Sequence, residues 1–282
     1  YGLDKIRANQ AWDLTRGSEQ VVIGIVDSGV DPDHPDLRAK LLPGTNTVDP
    51  TLTVRDDVGH GTHVAGIAAA STNNGEGIAG LASQCKLLPV KAVSTAFGSV
   101  ASVAQGVVWA ADHGADVINM CLGINEPSEV LTNAVQYALS KQVVLVATMG
   151  NKNVEAPRYP ASIPGVIAVG ATDSTDRKSR FSNYGAWMSV SAPGTDIFST
   201  FPTYPVSIPA SNGNAGYEYM SGTSMAAPLV TGLCALIRSK HPGLAPAEVK
   251  QILESTAVDL GDRGPDKMFG HGRIDAFAAL SK

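Results

Sequence analysis

No stretch of this chain is apolar for long enough to cross a bilayer. Its longest runs, such as 143–147 with its flanks, fall far short of the ~20 residues a spanning helix needs, so a soluble protein without membrane partners is expected. Cysteine is scarce: Cys85, Cys121 and Cys234 cannot all pair with one another, and none sits in a CxxC or other metal spacing. That argues against a disulfide framework and leaves buried small hydrophobes as the expectation. Basic clusters are lacking too. The 21 Lys and Arg lie singly and the net charge is −5, which gives no purchase for nucleic acid. Neither an initiator Met nor a charged, apolar leader precedes Tyr1, so a signal or pro-segment, where there is one, lies before this numbering. Internal repeats and low-complexity tracts are absent.

What the chain does contain is 44% apolar residues with 29 Gly and 17 Pro, the composition of a loop-rich globular protein. Its 282 residues suit one large α/β domain, 1–282. Runs rich in Val and Ile at 21–26, 87–93, 116–120, 143–147 and 166–169 read as fully buried strands. Stretches with helical spacing follow at 64–70, 103–113, 130–140, 225–239 and 247–255. Strand and helix alternate, which predicts an α/β, doubly wound, mostly parallel central sheet with helices on both faces and chemistry at the carboxyl ends of its strands. The Pro, Gly, Ser and Asn density of 193–222 reads as surface loop.

Three islands carry chemistry. In VVIGIVDSGVDPDHPDL an apolar strand ends at Asp27 and is broken by Ser28 and Gly29. By itself an Asp there is more often a turn residue; Asp31, Asp33 and Asp36 read as solvated loop charges. In DDVGHGTHVAGIAAAS, His60 stands between Gly59 and Gly61 at a loop-to-helix junction, with His63 one turn further in. No Glu separates the pair and no third ligand is near, against a zinc site; His63, preceding small apolar residues, reads as structural. In YEYMSGTSMAAPLVTGLCALI, Ser224 opens a long helix, whose first turn offers unpaired N–H groups to a developing oxyanion. An N-cap serine is the commoner meaning of that pattern. Pro228 reads as tolerated near the helix start. Asn151, after a strand and a glycine, is by itself an ordinary turn signal.

Taken together, these islands, with RYPASIPGVIAVGATD, TNNGEGIAG and the terminal GHGRIDAFAAL, resemble the subtilisin-like serine protease family, its thermitase-like members in particular, over nearly the whole chain. The resemblance implies a serine endopeptidase of broad specificity that works through an acyl-enzyme. Ser224 would be nucleophile, His60 general base, Asp27 its orienting partner and Asn151 an oxyanion donor; no cofactor serves the chemistry. It also implies a polypeptide substrate lying as an added strand between Ala96, Phe97 and Gly98 on one side and Cys121, Leu122 and Gly123 on the other. Cys121, Leu122 and Gly123 with Thr148, Met149 and Gly150 would wall the pocket for the residue before the scissile bond. Lys152 and Arg158 flank the loop after Asn151; a basic rim would accept acidic side chains, and solvated charges around the family's broad apolar pocket are the alternative. The loop TNNGEGIAG resembles the family's calcium site, with the Asn74 side chain and the carbonyls of Glu76 and Ile78 as ligands; Asn46 stands where relatives place a carboxylate. Thiol-sensitive relatives carry a cysteine after HGTH where this chain has Val64, so Cys121, if partly exposed, is the expected target of mercurials. Secretion, a cleaved N-terminal pro-domain and a monomer are further expectations. Competing classes are a catalytically silent binding or scaffold protein on the same fold and an esterase, which would need G-x-S-x-G and the order Ser, Asp, His.

Overall fold

The computed structural model describes residues 1–95, 98–211 and 216–282. Its centre is a parallel sheet whose strands lie where the apolar runs predict them. These are β1 (Val22–Asp27), β2 (Thr45–Asn46), β3 (Lys86–Lys91), β4 (Val117–Met120), β5 (Val144–Thr148), β6 (Ile167–Thr172) and β7 (Val190–Pro193), in the spatial order β2-β3-β1-β4-β5-β6-β7. β2 and β7 were not expected, the first because two residues give no periodicity, the second because VSAP is short and half polar. Two short N-terminal helices, α1 (Gly2–Lys5) and α2 (Ala8–Trp12), precede the sheet; α3 (His60–Ala69), α4 (Val100–Asp112) and α5 (Glu129–Ser140) alternate with its strands, and α6 (Thr223–Lys240), α7 (Pro246–Thr256) and α8 (Ala276–Leu280) follow it.

Because the strands alternate their side chains, both faces are apolar and both are covered. Ile23, Ile25, Val117, Val144 and Val146 pack against α3 and α6. Val26, Ile118, Met120, Leu145 and Ala147 pack against α4 and α5 on the other face. α4 begins where Ser99 accepts the Ser102 N–H and the Ser102 hydroxyl accepts the Ser99 N–H, a reciprocal cap that satisfies two otherwise orphaned donors. No helix among the described residues is long and apolar enough to cross a membrane.

The segment 193–222 is not all loop. It holds a two-stranded antiparallel sheet, β8 (Ile197–Thr200) with β9 (Tyr217–Met220). The polar inward residues that hide it from a hydrophobic reading are spent on α3: the Ser199 hydroxyl donates to His63 O at 2.8 Å and the Thr200 hydroxyl to Thr62 O at 2.7 Å. β8 lies so close to α3 that a Cβ at Gly66 would stand 2.1 Å from Thr200 Oγ1, so a glycine is required there. Asp31 and Asp36 are also not solvated loop charges but wholly buried. Asp31 accepts hydrogen bonds from the N–H and hydroxyl of Thr203, at 2.9 and 2.8 Å, tying the loop after β1 to the chain beyond β8.

Candidate active site

Three neighbouring strands end at one rim of the sheet. β1 delivers Asp27, β4 runs on into Cys121, and β5 runs on into Gly150 and Asn151. The N-termini of α3 and α6, packed side by side on one face, bring His60 and Ser224 to that rim.

His60 is aimed by a polar cluster beneath it. Its Nδ1 lies 2.7 Å from Asp27 Oδ1; a carboxylate accepts only, so Nδ1 carries the proton and Nε2 is left as the basic nitrogen. Asp27 is 2% exposed. Its Oδ1 also accepts the Ser28 N–H at 2.7 Å, while Oδ2 is buried without a partner among the described residues. Burial alone pulls the His60 pKa down, but the Asp27 charge and hydrogen bond outweigh it and the net shift is upward. The start of α3 is pinned by Asp56, whose carboxylate accepts from the N–H groups of Val58, Gly59 and Thr62 and from the Ser28 and Thr62 hydroxyls, at 2.7 to 3.0 Å. Sequence reasoning passed over Asp56, whose only signal was an acidic residue just ahead of a helix start. His63 is wholly buried, with Nε2 3.1 Å from Glu218 O, and burial pushes its pKa down to about 3, consistent with a structural imidazole that stays neutral.

Asn151 is oriented from the same helix start that carries Ser224. Its Oδ1 accepts the Thr223 N–H at 2.9 Å and the Thr223 hydroxyl at 2.8 Å. A backbone N–H can only donate, which fixes which end of the amide is oxygen and leaves Nδ2 facing Gly222, where a Cβ would come within 3.2 Å of it. Ser224, 8% exposed, is the second residue of α6, so its N–H is among the donors that have no acceptor within the helix. The amide of Asn151 and this N–H are thus neighbours.

Pro228 lies deeper in α6 than the sequence reading placed it: it is the sixth helical residue, and there it removes the N–H that would have bonded the Ser224 carbonyl. Cys121 makes good the loss, its thiol donating to Ser224 O at 3.3 Å while Asn119 Nδ2 donates to its sulfur at 3.1 Å. Cys121 is therefore not the partly exposed mercurial target considered above. All three thiols are free and buried, and burial, with the Asp27 charge nearby, pushes that of Cys121 well up, away from the reactive thiolate.

Of the residues expected to bind substrate, Ala96 and Phe97 lie outside the described residues. Gly98 bridges Val93, and between this segment and Leu122 and Gly123 lies an apolar cavity of about 220 Å³ reaching Val103, Ile124 and Leu131. Thr148 is 3% exposed and the Met149 side chain is turned wholly into the core against α4 and α5. Contrary to expectation, Met149 can offer the pocket only backbone, because its side chain is the one that the strand's alternation sends inward.

At the 74–78 loop, Asn74 Nδ2 donates to Asp36 Oδ1 at 2.6 Å, and Ile78 N and the Tyr217 hydroxyl donate to Asp36 Oδ2 at 3.1 and 2.9 Å. The carboxylate that meets this loop is therefore that of Asp36, and none stands at position 46. Asn46 is spent elsewhere, its Oδ1 accepting the N–H groups of Val48 and Asp49 and its Nδ2 donating to Thr53 O, each at 3.0 Å. Among the described residues no three His, Cys, Asp or Glu gather as a metal cluster. Yet Asp36 is a wholly buried carboxylate outside every ion pair found there, and such a charge is costly without a cation. As it stands the carboxylate is met by hydrogen-bond donors, two of them nitrogen, while the Asn74 side-chain oxygen accepts the Glu76 N–H at 3.2 Å.

A hydroxyl at a helix start, an imidazole held by a buried carboxylate and an oriented amide, on the carboxyl rim of a parallel sheet, are the parts that an α/β serine hydrolase needs. The profile of the subtilase family matches residues 18–272. The thermophilic serine proteinase of Bacillus sp. (strain AK1) is 44% identical over 282 residues, spanning 100% of this chain and 67% of the relative. Thermitase of Thermoactinomyces vulgaris is 42% identical over 281 residues, 99% of this chain and 95% of the relative. Fervidolysin from Fervidobacterium pennivorans, a keratinolytic enzyme related to subtilisin, superposes with a TM-score of 0.89 at 35% identity, covering 100% of this chain and 45% of that one. The chain belongs to the subtilase family and is a serine protease.

Proposed function

We propose that residues 1–282 form one catalytic domain in which Ser224 attacks the scissile carbonyl of a polypeptide. His60 Nε2 takes the hydroxyl proton and returns it to the leaving amine, giving an acyl-enzyme that water then cleaves. Asp27 holds the imidazole in the tautomer that exposes Nε2 and stabilises the imidazolium. Asn151 Nδ2 and the Ser224 N–H receive the tetrahedral oxygen; loss of one such side-chain donor costs ~10²–10³ in turnover in subtilisin itself. The observation that carries this reading is the presence at one sheet rim of two hydrogen-bonded pairs: His60 on Asp27 at 2.7 Å, and Asn151 held at 2.9 Å by the residue preceding Ser224.

The substrate lies extended between the chain at Gly98 and that at Leu122 and Gly123, adding a strand, with one apolar side chain in the cavity of about 220 Å³ between them. Export and removal of an N-terminal pro-domain, with a monomeric product, complete the reading. Casein hydrolysis should be present, and should be lost in proportion to the fraction of protein that a serine-directed phosphonate has titrated. Hydrolysis that survives complete titration would refute the mechanism.

Calcium has a structural role in the same reading. Asn74 and the carbonyls of Glu76 and Ile78 hold it, with Asp36 as the charged ligand. A bound ion at saturating concentration stabilises by mass action, so calcium should raise Tm by about 5 °C or more over chelator. Asp36→Asn should abolish that difference. A wild-type Tm indifferent to chelator would remove the proposal.

A further inference from the structure

A cationic side chain stands between two of the glycines proposed to wall the substrate pocket. Gly123, after β4, and Gly150, after β5, face each other as walls of the proposed pocket, and the side chain of Arg158 runs between them. A Cβ at Gly123 would lie 3.0 Å from Arg158 Nε and 3.2 Å from its Cγ; one at Gly150 would lie 2.7 Å from Arg158 Cδ. The backbone that carries Arg158 is fixed from both sides. Tyr159 and Ile124 exchange two N–H to carbonyl bonds of 2.9 Å, and the Arg158 N–H donates to the Ser162 hydroxyl at 2.9 Å.

Among the described residues the guanidinium makes no ion pair. Glu155, three positions earlier, is taken by Lys267 at 2.7 Å, whereas Arg158 Nη1 donates to the neutral Asn125 Oδ1 at 3.2 Å. Half-burial pulls its pKa down, but a guanidinium remains charged throughout the working range. Lys152, the other basic residue near this loop, is exposed and shares neither wall.

We infer that Arg158 determines the specificity of the pocket for the residue before the scissile bond, and that it selects an acidic side chain. The inference rests on the peptidase reading above. A substrate carboxylate entering between Gly123 and Gly150 would meet donors in fork geometry and replace a half-desolvated, unpaired cation with an ion pair. A large apolar side chain would instead have to push the arginine stem aside and strand its charge. The uncharged isostere glutamine isolates the charge term, since it fills the same volume.

The test is kcat/KM for a set of capped tetrapeptide anilides that differ only in glutamate, glutamine, leucine or phenylalanine at the cleaved position. Glutamate should exceed glutamine by about tenfold or more, the discrimination expected when a buried polar partner would otherwise go unpaired. In Arg158→Gln that ratio should collapse to about one while leucine and phenylalanine gain. Active-site titration normalises every preparation and reports folding. If the wild type cleaves leucine and phenylalanine but takes glutamate no better than glutamine, the inference fails and the peptidase reading stands. If the Arg158→Gln ratio matches that of the wild type, the preference belongs to another group and the inference also fails. If no peptide is cleaved and no protein titrates, both fail together.

Discussion

Ser224→Ala should lower kcat by about 10⁶-fold while the protein keeps its Tm, and His60→Ala should do nearly the same; the magnitude is subtilisin's own. The fold should survive because each side chain stands at the first or second position of its helix, where neither hydroxyl nor imidazole is a core contact. In the proposed mechanism nucleophile and base act in one step, so either loss leaves the other without a function. The double variant should be no slower than the worse single one, a non-additivity that independent contributions would not produce. Turnover of titrated anilide substrate, with Tm followed in parallel, reads both quantities. Ser224→Ala protein that still turns over would show that the hydroxyl is not the nucleophile.

Asp27→Asn should cost about 10⁴-fold in kcat at neutral pH, and it should also move the pH profile. In the wild type, burial lowers the His60 pKa and the Asp27 charge and hydrogen bond more than reverse it, so the net value lies above the ordinary 6.5. The base must be neutral to accept a proton. Activity therefore rises with pH through a midpoint above 6.5 and is lost below it. Without the carboxylate the burial contribution dominates, and the midpoint in Asp27→Asn should fall below that of the wild type. A variant with lowered turnover and an unmoved midpoint would mean that Asp27 does not act through His60.

How much of this was legible beforehand follows from how each residue is used. The central strands were legible because a strand buried on both faces must be apolar throughout, as 143–147 and 166–169 are. β8 escaped notice because its inward Ser199 and Thr200 bond the carbonyls of α3 instead of filling a core. Asp31 and Asp36 misled for the related reason that local sequence cannot distinguish a solvated carboxylate from one whose donors, Thr203 for the first and Ile78 and Tyr217 for the second, arrive from elsewhere in the chain. The candidate site residues were named from motifs, yet the contacts that aim them were not. Asp56 under α3, Thr223 against Asn151 and Cys121 against Ser224 O act through pairings that only the folded chain brings together. Arg158 lay in between: its charge was evident from the sequence, but not that two glycines from separate strands leave room for its stem.

These pairings also give the fold a mechanical meaning for catalysis. Each group that the proposed mechanism uses is held by a partner on a rigid element: His60 by Asp27 at the end of β1, Asn151 by Thr223 at the start of α6, and the Ser224 backbone by Cys121 beyond β4. Preorganised donors of this kind need no rearrangement as charge develops, which is where electrostatic catalysis gains most.

The most direct test of the central claim is to inactivate the protein with a fluorophosphonate, digest it and locate the adduct by mass spectrometry. The account predicts one phosphonyl group, carried by Ser224, absent from His60→Ala protein treated for the same time because the hydroxyl has lost its base. An adduct on any other serine, or an active protease that acquires none, would contradict it.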